Sequence, residues 1–215
     1  INMIDRKYPN TRLRRLRRNS NLIKLVSENT INSSDLIQPI FIKENLNGIE
    51  SIESMPDIKR FDIDSALKEI EEIVVSGINT IAIFPVIDPE KKDIKGSEAV
   101  KNDNFISTAI SKIKDEFPEI ILIADVALDP YTTHGHDGII LNDNVDNDLT
   151  IEILVEQALV LANSGADIIA PSDMMDGRIK SIRSALENAN FKDTILLSYA
   201  AKYNSKFYGP FRDAV

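Results

Sequence analysis

Short, nearly continuous apolar runs recur along the chain, and each is followed by polar residues and then by a segment of helical period. β-Branched residues are frequent in these runs, which is typical of strands that are covered on both faces. The runs occupy residues 36–42, 80–86, 120–126, 166–171 and 194–199. We therefore predict five buried β-strands at these positions.

Segments with a helical period lie between the apolar runs. In residues 65–76 apolar side chains recur at the spacing of one helix face, and Gly77 follows where the helix is expected to end. Residues 150–163 show the same pattern and are followed by Gly165. We predict one helix over each segment.

Alternating strands and helices predict parallel βα units, which build either a doubly wound sheet or a (β/α)₈ barrel. No Gly-x-Gly-x-x-Gly string follows the first apolar run, so dinucleotide binding is not favoured. We therefore predict an α/β protein with the (β/α)₈ TIM barrel fold. A complete barrel has ~250 residues, so the chain is expected to hold only about the first five βα units. We expect the remainder to lie outside the chain, since open strand edges are unfavourable.

The N-terminal residues 1–34 precede the first predicted strand and differ from the rest of the chain. Residues 12–18 hold five arginines, and a solvated basic arm and a nucleic-acid patch are both open interpretations. Leu13 and Leu16 favour a third interpretation, in which the arm packs on another subunit. We divide the chain into an N-terminal arm, residues 1–34, and a partial barrel domain, residues 35–215.

Composition and charge exclude several classes of function. The 34 acidic and 25 basic side chains give a net charge of −9, which disfavours nucleic acid and anionic membranes as partners. No apolar run approaches the ~20 residues of a membrane span and the first residues lack a signal-peptide pattern, so we expect a cytoplasmic location. The absence of cysteine excludes disulfides, thiolate nucleophiles and thiolate zinc sites.

Polar residues follow the predicted strands at the ends where a barrel carries its active site. They are Asp125 at the end of the third run, Ser172 and Asp173 after the fourth, and Lys202 after the fifth. Each of them alone is explained better as a cap or loop residue. Because the carboxyl ends of parallel strands meet at one edge, we expect the four side chains to line one mouth.

Lys202 is the candidate nucleophile. Its neighbours along the chain are small and aromatic rather than charged, and an apolar environment lowers the pKa of a lysine. Such an amine can form a Schiff base with a ketone. The spacing alone leaves two alternatives open, a solvated surface lysine and the Schiff-base lysine of a class I aldolase.

Two further segments carry candidate chemistry. Residues 125–138 hold three aspartates and both histidines, His134 and His136, a set that suits a hard cation or acid–base catalysis but also an ordinary polar turn. Arg212 lies among aromatic residues and can bind a substrate carboxylate, although a surface salt bridge explains it as well.

Several longer strings occur together in the chain. They are RRLRRN (14–19), MP (55–56), FPVIDP (84–89), GSEA (96–99), residues 125–138, APSDMMDGR (170–178) and residues 198–214. In order and spacing they resemble the signatures of the porphobilinogen synthase (5-aminolevulinate dehydratase) family. The resemblance implies a hydro-lyase of heme biosynthesis that condenses two 5-aminolevulinate molecules to porphobilinogen, with loss of water through lysine Schiff bases.

The same resemblance assigns roles to individual residues. Lys202 matches the lysine that forms a Schiff base with the propionate-side substrate, and Asp125 and Ser172 match residues that surround the reacting substrates. The residues implied to bind a substrate carboxylate and to wall the pocket are Arg212, Tyr199, Tyr208 and Phe211. The family's second Schiff-base lysine lies in a Val-Lys-Pro motif, and no such string occurs in the chain.

The metal site departs from the zinc-dependent members of the family. Those members place three cysteines where this chain has Ala127, Asp129 and Asp137. We therefore expect no active-site zinc. Asp129 and Asp137 resemble the branch that responds to magnesium or a monovalent cation, since carboxylate oxygens suit hard cations, and a metal-free site is also open.

Two other interpretations of the whole chain are open. A class I aldolase-like Schiff-base lyase shares the barrel lysine but does not account for residues 134–136 or 207–212. A catalytically incomplete chain that acts only as an oligomer partner accounts for the missing second lysine. By resemblance, the expected partners are 5-aminolevulinate and further copies of the chain in a homo-octamer.

Overall fold

The computed structural model describes residues 7–203, 205–206, 209–210 and 214. The helices and strands of these residues are, in chain order, α1 (Ser20–Leu25), β1 (Gln38–Lys43), β2 (Ile49–Ser51), β3 (Lys59–Phe61), α2 (Ile63–Val75), β4 (Thr80–Val86), α3 (Phe105–Glu116), β5 (Ile121–Val126), β6 (Ile139–Leu141), β7 (Asn144–Asp146), α4 (Asn147–Asn163), β8 (Ile168–Pro171), α5 (Arg178–Asn188) and β9 (Ile195–Leu196). Short 3₁₀ helices lie at Leu13–Arg17, Ser33–Asp35, Pro89–Lys91 and Ser97–Val100.

Seven of these strands form one sheet in the order β2-β3-β1-β4-β5-β8-β9. All neighbouring strands in it are parallel except β2 and β3, which are antiparallel. Each of the five predicted runs overlaps one of the parallel strands β1, β4, β5, β8 and β9. A row of apolar residues crosses the sheet, in which Ile83 pairs with Ile40 on one side and with Ala124 on the other. The predicted α/β class is confirmed.

Some strands differ from the prediction. The sequence did not indicate β2, β3 or the separate β6-β7 hairpin, because each of these strands has three residues, too few to show a periodic pattern. In β9 only Ile195 and Leu196 are in strand conformation, although the predicted run extends to residue 199. The N–H of Leu197 still donates to the backbone oxygen of Ile169 at 2.9 Å, and the chain then leaves the sheet.

The two predicted helices are present and begin slightly earlier than the apolar pattern indicates. The carboxylates of Asp62 and Asp146 cap α2 and α4 by accepting the N–H groups of Ser65 and Leu149 at 2.7 and 3.0 Å. After α2, Gly77 has φ of +90°, a conformation that favours glycine. No helix in the described ranges combines the length and apolarity that a membrane span requires.

The main core lies between one face of the sheet and the helices. Its buried members include Ile40, Ile42, Ile81, Ile83, Leu122 and Ile169 from the strands, and Ile70, Ile110, Ile113, Leu154, Leu161, Ile182 and Leu186 from the helices. On the opposite face the rings of Phe41 and Phe84 stack with their centroids 5.5 Å apart. Phe41 is buried on this face and Phe84 is partly buried, so the second face of the central strands is partly covered.

The chain after β9 returns to the far edge of the sheet. Pro210 and Ala214 accept hydrogen bonds through their backbone oxygens from Ser54 Oγ and Arg60 Nε, each at 3.0 Å. Ala214 is fully buried beside Phe41. These two residues therefore lie near the edge of the sheet formed by β2 and β3, opposite to the edge formed by β9.

The described part of the N-terminal arm has no core of its own. No side chain between residues 7 and 39 is buried, and Leu13, Leu25 and Ile31 are 77, 79 and 82% exposed. Local contacts order the arm instead, including the Arg12 guanidinium, which lies 4.4 Å from the ring centroid of Tyr8.

Candidate active site

The carboxyl ends of β5, β8 and β9 bring the predicted site residues to one edge of the sheet. Asp125 is the penultimate residue of β5, Ser172 follows β8 directly, and Lys202 lies on the segment after β9. The N–H of Ser172 donates to the backbone oxygen of Val126 at 3.2 Å, which holds the ends of β5 and β8 side by side. The predicted mouth is therefore present for these residues.

Two acceptors hold the amine of Lys202. The Nζ atom donates to Asp137 Oδ2 at 3.1 Å and to the backbone oxygen of Ser172 at 2.9 Å. The Lys202 side chain is 25% exposed and that of Asp137 is 8% exposed. The predicted apolar environment of Lys202 is therefore wrong, because the amine reaches a carboxylate 65 positions away in the sequence rather than its small and aromatic chain neighbours.

Asp125 combines burial with an oxygen that lacks a partner. Burial raises the pKa of its carboxyl group to about 7, against the opposing effect of a hydrogen bond with the Ser172 side chain. Its Oδ1 atom is buried and has no hydrogen-bond partner among the described residues. A carboxyl group with a pKa near neutrality can both accept and donate a proton during a reaction.

Asp129 and Asp137 form a carboxyl pair. Burial first, and then the negative charge of Asp137, raise the pKa of Asp129 well above its usual value. The proximity of the Asp137 side chain thus favours the protonated form of the Asp129 carboxyl group. Because the Nζ of Lys202 lies against Asp137, an ammonium group balances the charge of the pair.

The sequence also predicted Asp129 and Asp137 as ligands of a cation. In the described ranges no group of three or more His, Cys, Asp or Glu side chains is placed to hold a metal ion. Two carboxyl groups, one of which pairs with the amine of Lys202, do not by themselves fit a tightly bound divalent ion, which takes several oxygen ligands. The carboxylate oxygens of Asp129 and Asp137 suit only a hard cation that keeps most of its bound water molecules.

Helix α4 holds both ends of the loop that carries this carboxyl pair, residues 127–138. At the start of the loop, Gln157 Nε2 donates to the backbone oxygen of Ala127 at 3.1 Å. At its end, Thr150 Oγ1 accepts the N–H of Ile139 at 2.9 Å. Both side chains are buried, and neither was predicted from the sequence as a site residue. The sequence signal that could have indicated them is a pair of polar residues, seven positions apart, on the buried face of an apolar helix.

The two histidines shape the same loop. His134 Nδ1 accepts the N–H of His136 at 3.1 Å, and His136 Nδ1 accepts the N–H of Gly138 at 3.0 Å. His134 is exposed, and its Nε2 lies 3.4 Å from the backbone oxygen of Ile94. Because these Nδ1 atoms accept backbone hydrogen bonds, the structure gives both residues a role in turn formation, one of the two interpretations that the sequence left open.

Tyr199 lies at the same mouth as Asp125. The residue is 40% exposed, and partial desolvation followed by the charge of Asp125 raises the pKa of its hydroxyl group. The other residues predicted to bind substrate, Tyr208, Phe211 and Arg212, lie outside the described residues.

The chain is similar to proteins of known function. The family model of delta-aminolevulinic acid dehydratase matches residues 10–215. The delta-aminolevulinic acid dehydratase of Bradyrhizobium diazoefficiens is 50% identical over 192 residues, which cover 89% of this chain and 54% of that protein. The corresponding protein of Chlamydia pneumoniae is 45% identical over 204 residues, which cover 95% of this chain and 61% of that protein.

A solved structure agrees with these relatives. The crystal structure of the Toxoplasma gondii ME49 delta-aminolevulinic acid dehydratase in complex with the reaction product porphobilinogen matches with a TM-score of 0.92 at 43% identity. The match covers 95% of this chain and 58% of that one, so the chain spans somewhat more than half the length of the proteins it resembles. The family model covers every predicted site residue from Asp125 to Arg212, and the chain belongs to the delta-aminolevulinic acid dehydratase family.

Proposed function

We propose that the full-length protein is a porphobilinogen synthase that condenses two molecules of 5-aminolevulinate to porphobilinogen with loss of water. The observation that carries the proposal is the position of Lys202, whose Nζ contacts Asp137 and the Ser172 backbone at the carboxyl ends of the strands. The likeness to an enzyme solved with porphobilinogen bound supports the same substrate class.

In this proposal Lys202 forms a Schiff base with the propionate-side substrate. The ammonium first passes a proton to the Asp137 carboxylate, and the neutral amine attacks the ketone carbon. The resulting carbinolamine takes up a proton on its hydroxyl group and loses water, which leaves an iminium ion. Asp125 delivers that proton, because its pKa of about 7 keeps a large protonated fraction at neutral pH. Asp137 and the Ser172 backbone hold the amine in place before it reacts.

We propose a second Schiff-base lysine for the other substrate molecule, as the family resemblance implies. The 215 residues contain no Val-Lys-Pro string to supply it. The match covers 54% of the Bradyrhizobium protein and leaves 46% of it uncovered. We place the second lysine in this uncovered part of the relatives' length. Tyr199, Tyr208, Phe211 and Arg212 form the pocket wall and bind a substrate carboxylate in the same proposal.

We also propose that the sheet is part of a (β/α)₈ barrel and that the 215 residues hold about its first five βα units. The order of the parallel strands β1-β4-β5-β8-β9 supports this proposal. Residues 1–34 form an arm that packs on another copy of the chain in a homo-oligomer, which is an octamer by family resemblance. The exposed side chains of Leu13 and Leu16, 77 and 48% exposed, support such packing.

We propose that the active site works without zinc, since the chain has no cysteine. Any cation near Asp129 and Asp137 is magnesium or a monovalent ion, because carboxylate oxygens suit hard cations. Such an ion would supply positive charge next to the carboxyl pair.

Borohydride reduction in the presence of 5-aminolevulinate tests the proposed function. The reagent converts an imine to a stable secondary amine, so peptide mapping of the full-length protein is expected to find the substrate-derived mass on Lys202. Lys202→Met removes that label. Lys180→Met, which changes an exposed lysine of α5, leaves it unchanged. A folded wild-type protein that carries no label on Lys202 contradicts the proposal.

A further inference from the structure

Arg178, the first residue of α5, connects two segments of the mouth. Its Nη1 donates to the backbone oxygen of Met175 at 3.0 Å, and its Nη2 donates to the backbone oxygen of Tyr199 at 3.2 Å. Its Nε lies 3.1 Å from Asp173 Oδ2. The guanidinium group therefore joins the loop after β8 to the segment after β9 through two hydrogen bonds, while its Nε makes an ion pair with Asp173 without a hydrogen bond.

Both connected segments hold the amine of Lys202. The loop after β8 contributes the Ser172 backbone oxygen that accepts from Lys202 Nζ. The segment after β9 carries Lys202 itself, three residues beyond Tyr199. Among the described residues, Leu197 makes the last backbone hydrogen bond between this segment and β8. Beyond it, the contact between Arg178 and Tyr199 holds the backbone.

The partner carboxylate of Arg178 is buried. The Asp173 side chain is 0% exposed and that of Arg178 is 14% exposed. Asp173 Oδ1 accepts the N–H of Met175 at 2.7 Å, so the loop is also bonded internally. A planar guanidinium can bind one carboxylate and two carbonyls in fixed directions, whereas the compact ammonium of a lysine cannot.

Arg183 provides an internal comparison on the same helix. Its Nη1 and Nη2 donate to the backbone oxygens of Thr194 and Phe191 at 2.7 and 2.9 Å, and its Nε lies 3.0 Å from Glu187. Arg183 thus makes the same three kinds of contact as Arg178. It holds the chain before β9, at the end of the strand away from the mouth.

We propose that Arg178 is a positioning residue for Lys202, because it fixes the segment after β9 relative to the Ser172 loop. Its removal changes the placement of the amine, whereas the loss of Arg183 changes only the approach to β9. The predicted effect of Arg178 on the reactivity of Lys202 rests on the proposed function. Its predicted effect on the position of the backbone after β9 does not.

Two measurements on the full-length protein test this role in Arg178→Met and Arg183→Met. The first is the rate of borohydride-trapped labelling of Lys202 by 5-aminolevulinate. We expect Arg178→Met to slow labelling by roughly 10-fold or more, since small displacements of a reacting group have large effects on rate. We expect Arg183→Met to change it less than about twofold at a comparable loss of thermal stability, and Arg178→Lys to restore only part of the rate.

The second measurement is hydrogen–deuterium exchange of residues 197–203. Exchange in this segment is expected to rise in Arg178→Met and to stay near the wild-type level in Arg183→Met. If wild-type Lys202 is not labelled at all, the proposed function fails while the exchange result still tests the positioning role. Equal labelling rates and equal exchange in the two methionine variants overturn the inference, and if Arg178→Met does not fold, the same comparison applies to Arg178→Lys.

Discussion

Gln157 Nε2 donates a hydrogen bond of 3.1 Å to the backbone oxygen of Ala127, from the middle of α4 to the first residue of the loop that carries Asp129. The Gln157 side chain is buried, and its Oε1 has no hydrogen-bond partner within the described ranges. A buried amide that uses only part of its hydrogen-bonding capacity is unfavourable, so its bond to Ala127 is what compensates for its burial. The placement of the loop thus depends on a helix residue outside the mouth.

We predict that Gln157→Leu slows Lys202 labelling in the full-length protein by ~10-fold, because the loop start is no longer fixed. The free energy of unfolding is expected to fall by about 1–3 kcal/mol, since the Ala127 oxygen stays buried without its donor. Urea denaturation and borohydride trapping measure the two effects.

Leu154→Ala is the matched control, because Leu154 is fully buried on the same face of α4. The cavity is expected to cost about 2–5 kcal/mol while the bond to Ala127 stays intact. If this variant slows labelling as much as Gln157→Leu does, the effect comes from general destabilisation and not from loop placement.

We predict that Lys202→Ala abolishes porphobilinogen formation by the full-length protein and leaves the fold intact. The imine cannot form without the amine, and the side chain lies at the mouth rather than in the core. A colorimetric porphobilinogen assay and circular dichroism check the two parts. Lys202→Arg keeps a positive charge beside Asp137 and is also expected to be inactive. A rate above roughly a tenth of wild type would refute the assignment of Lys202 as nucleophile.

The raised pKa of Asp125 predicts the pH dependence of stability. The unfolded carboxyl group loses its proton near its ordinary pKa of 3.8, whereas burial raises the pKa of the folded one to about 7. Between these values the unfolded state binds fewer protons, so this residue makes stability fall as pH rises from about 4 to 7 and adds no further change above 7.

Asp125→Asn removes this contribution. The variant is expected to be more stable than wild type at pH 8, on the order of 2 kcal/mol, with a smaller difference at pH 5. Chemical denaturation of both proteins across this range measures the difference. A variant that loses stability equally at both pH values would show that Asp125 is ionised in the folded protein.

We predict that 1,10-phenanthroline leaves the activity of the full-length enzyme unchanged. The chelator prefers zinc, and the chain offers carboxylates rather than thiolates at positions 129 and 137. A parallel assay of a zinc-dependent relative serves as the positive control. Loss of activity that zinc alone restores would contradict this prediction.

The sequence predicted the strands and helices that have long, regular patterns. A continuous apolar run marks each central strand, whose residues are mostly buried or partly buried, and α2 and α4 end near glycines with positive φ. The pattern did not show β3, although it pairs with β1 in the same sheet, because three residues carry no periodicity. Such strands depend on tertiary contacts rather than on local preference.

At the site, the sequence located the groups that follow strands but not the contacts between them. Asp125 and Lys202 were expected at one mouth because parallel strands end at a common edge. The contact between Lys202 and Asp137 could not be inferred, since it depends on how the intervening loop folds back. Arg178 was not singled out for a similar reason, because its partners lie on two different segments.

The return of the chain to the far edge of the sheet has a consequence for the order of folding. The contacts of Pro210 with Ser54 and of Ala214 with Arg60 join residues 156 and 154 positions apart. Closing loops of this length is entropically costly, and contacts of high sequence separation form slowly. Lys202 lies in the sequence between β9 and the residues that make these contacts. We therefore expect its amine to reach Asp137 only after the strands from β1 to β8 have paired.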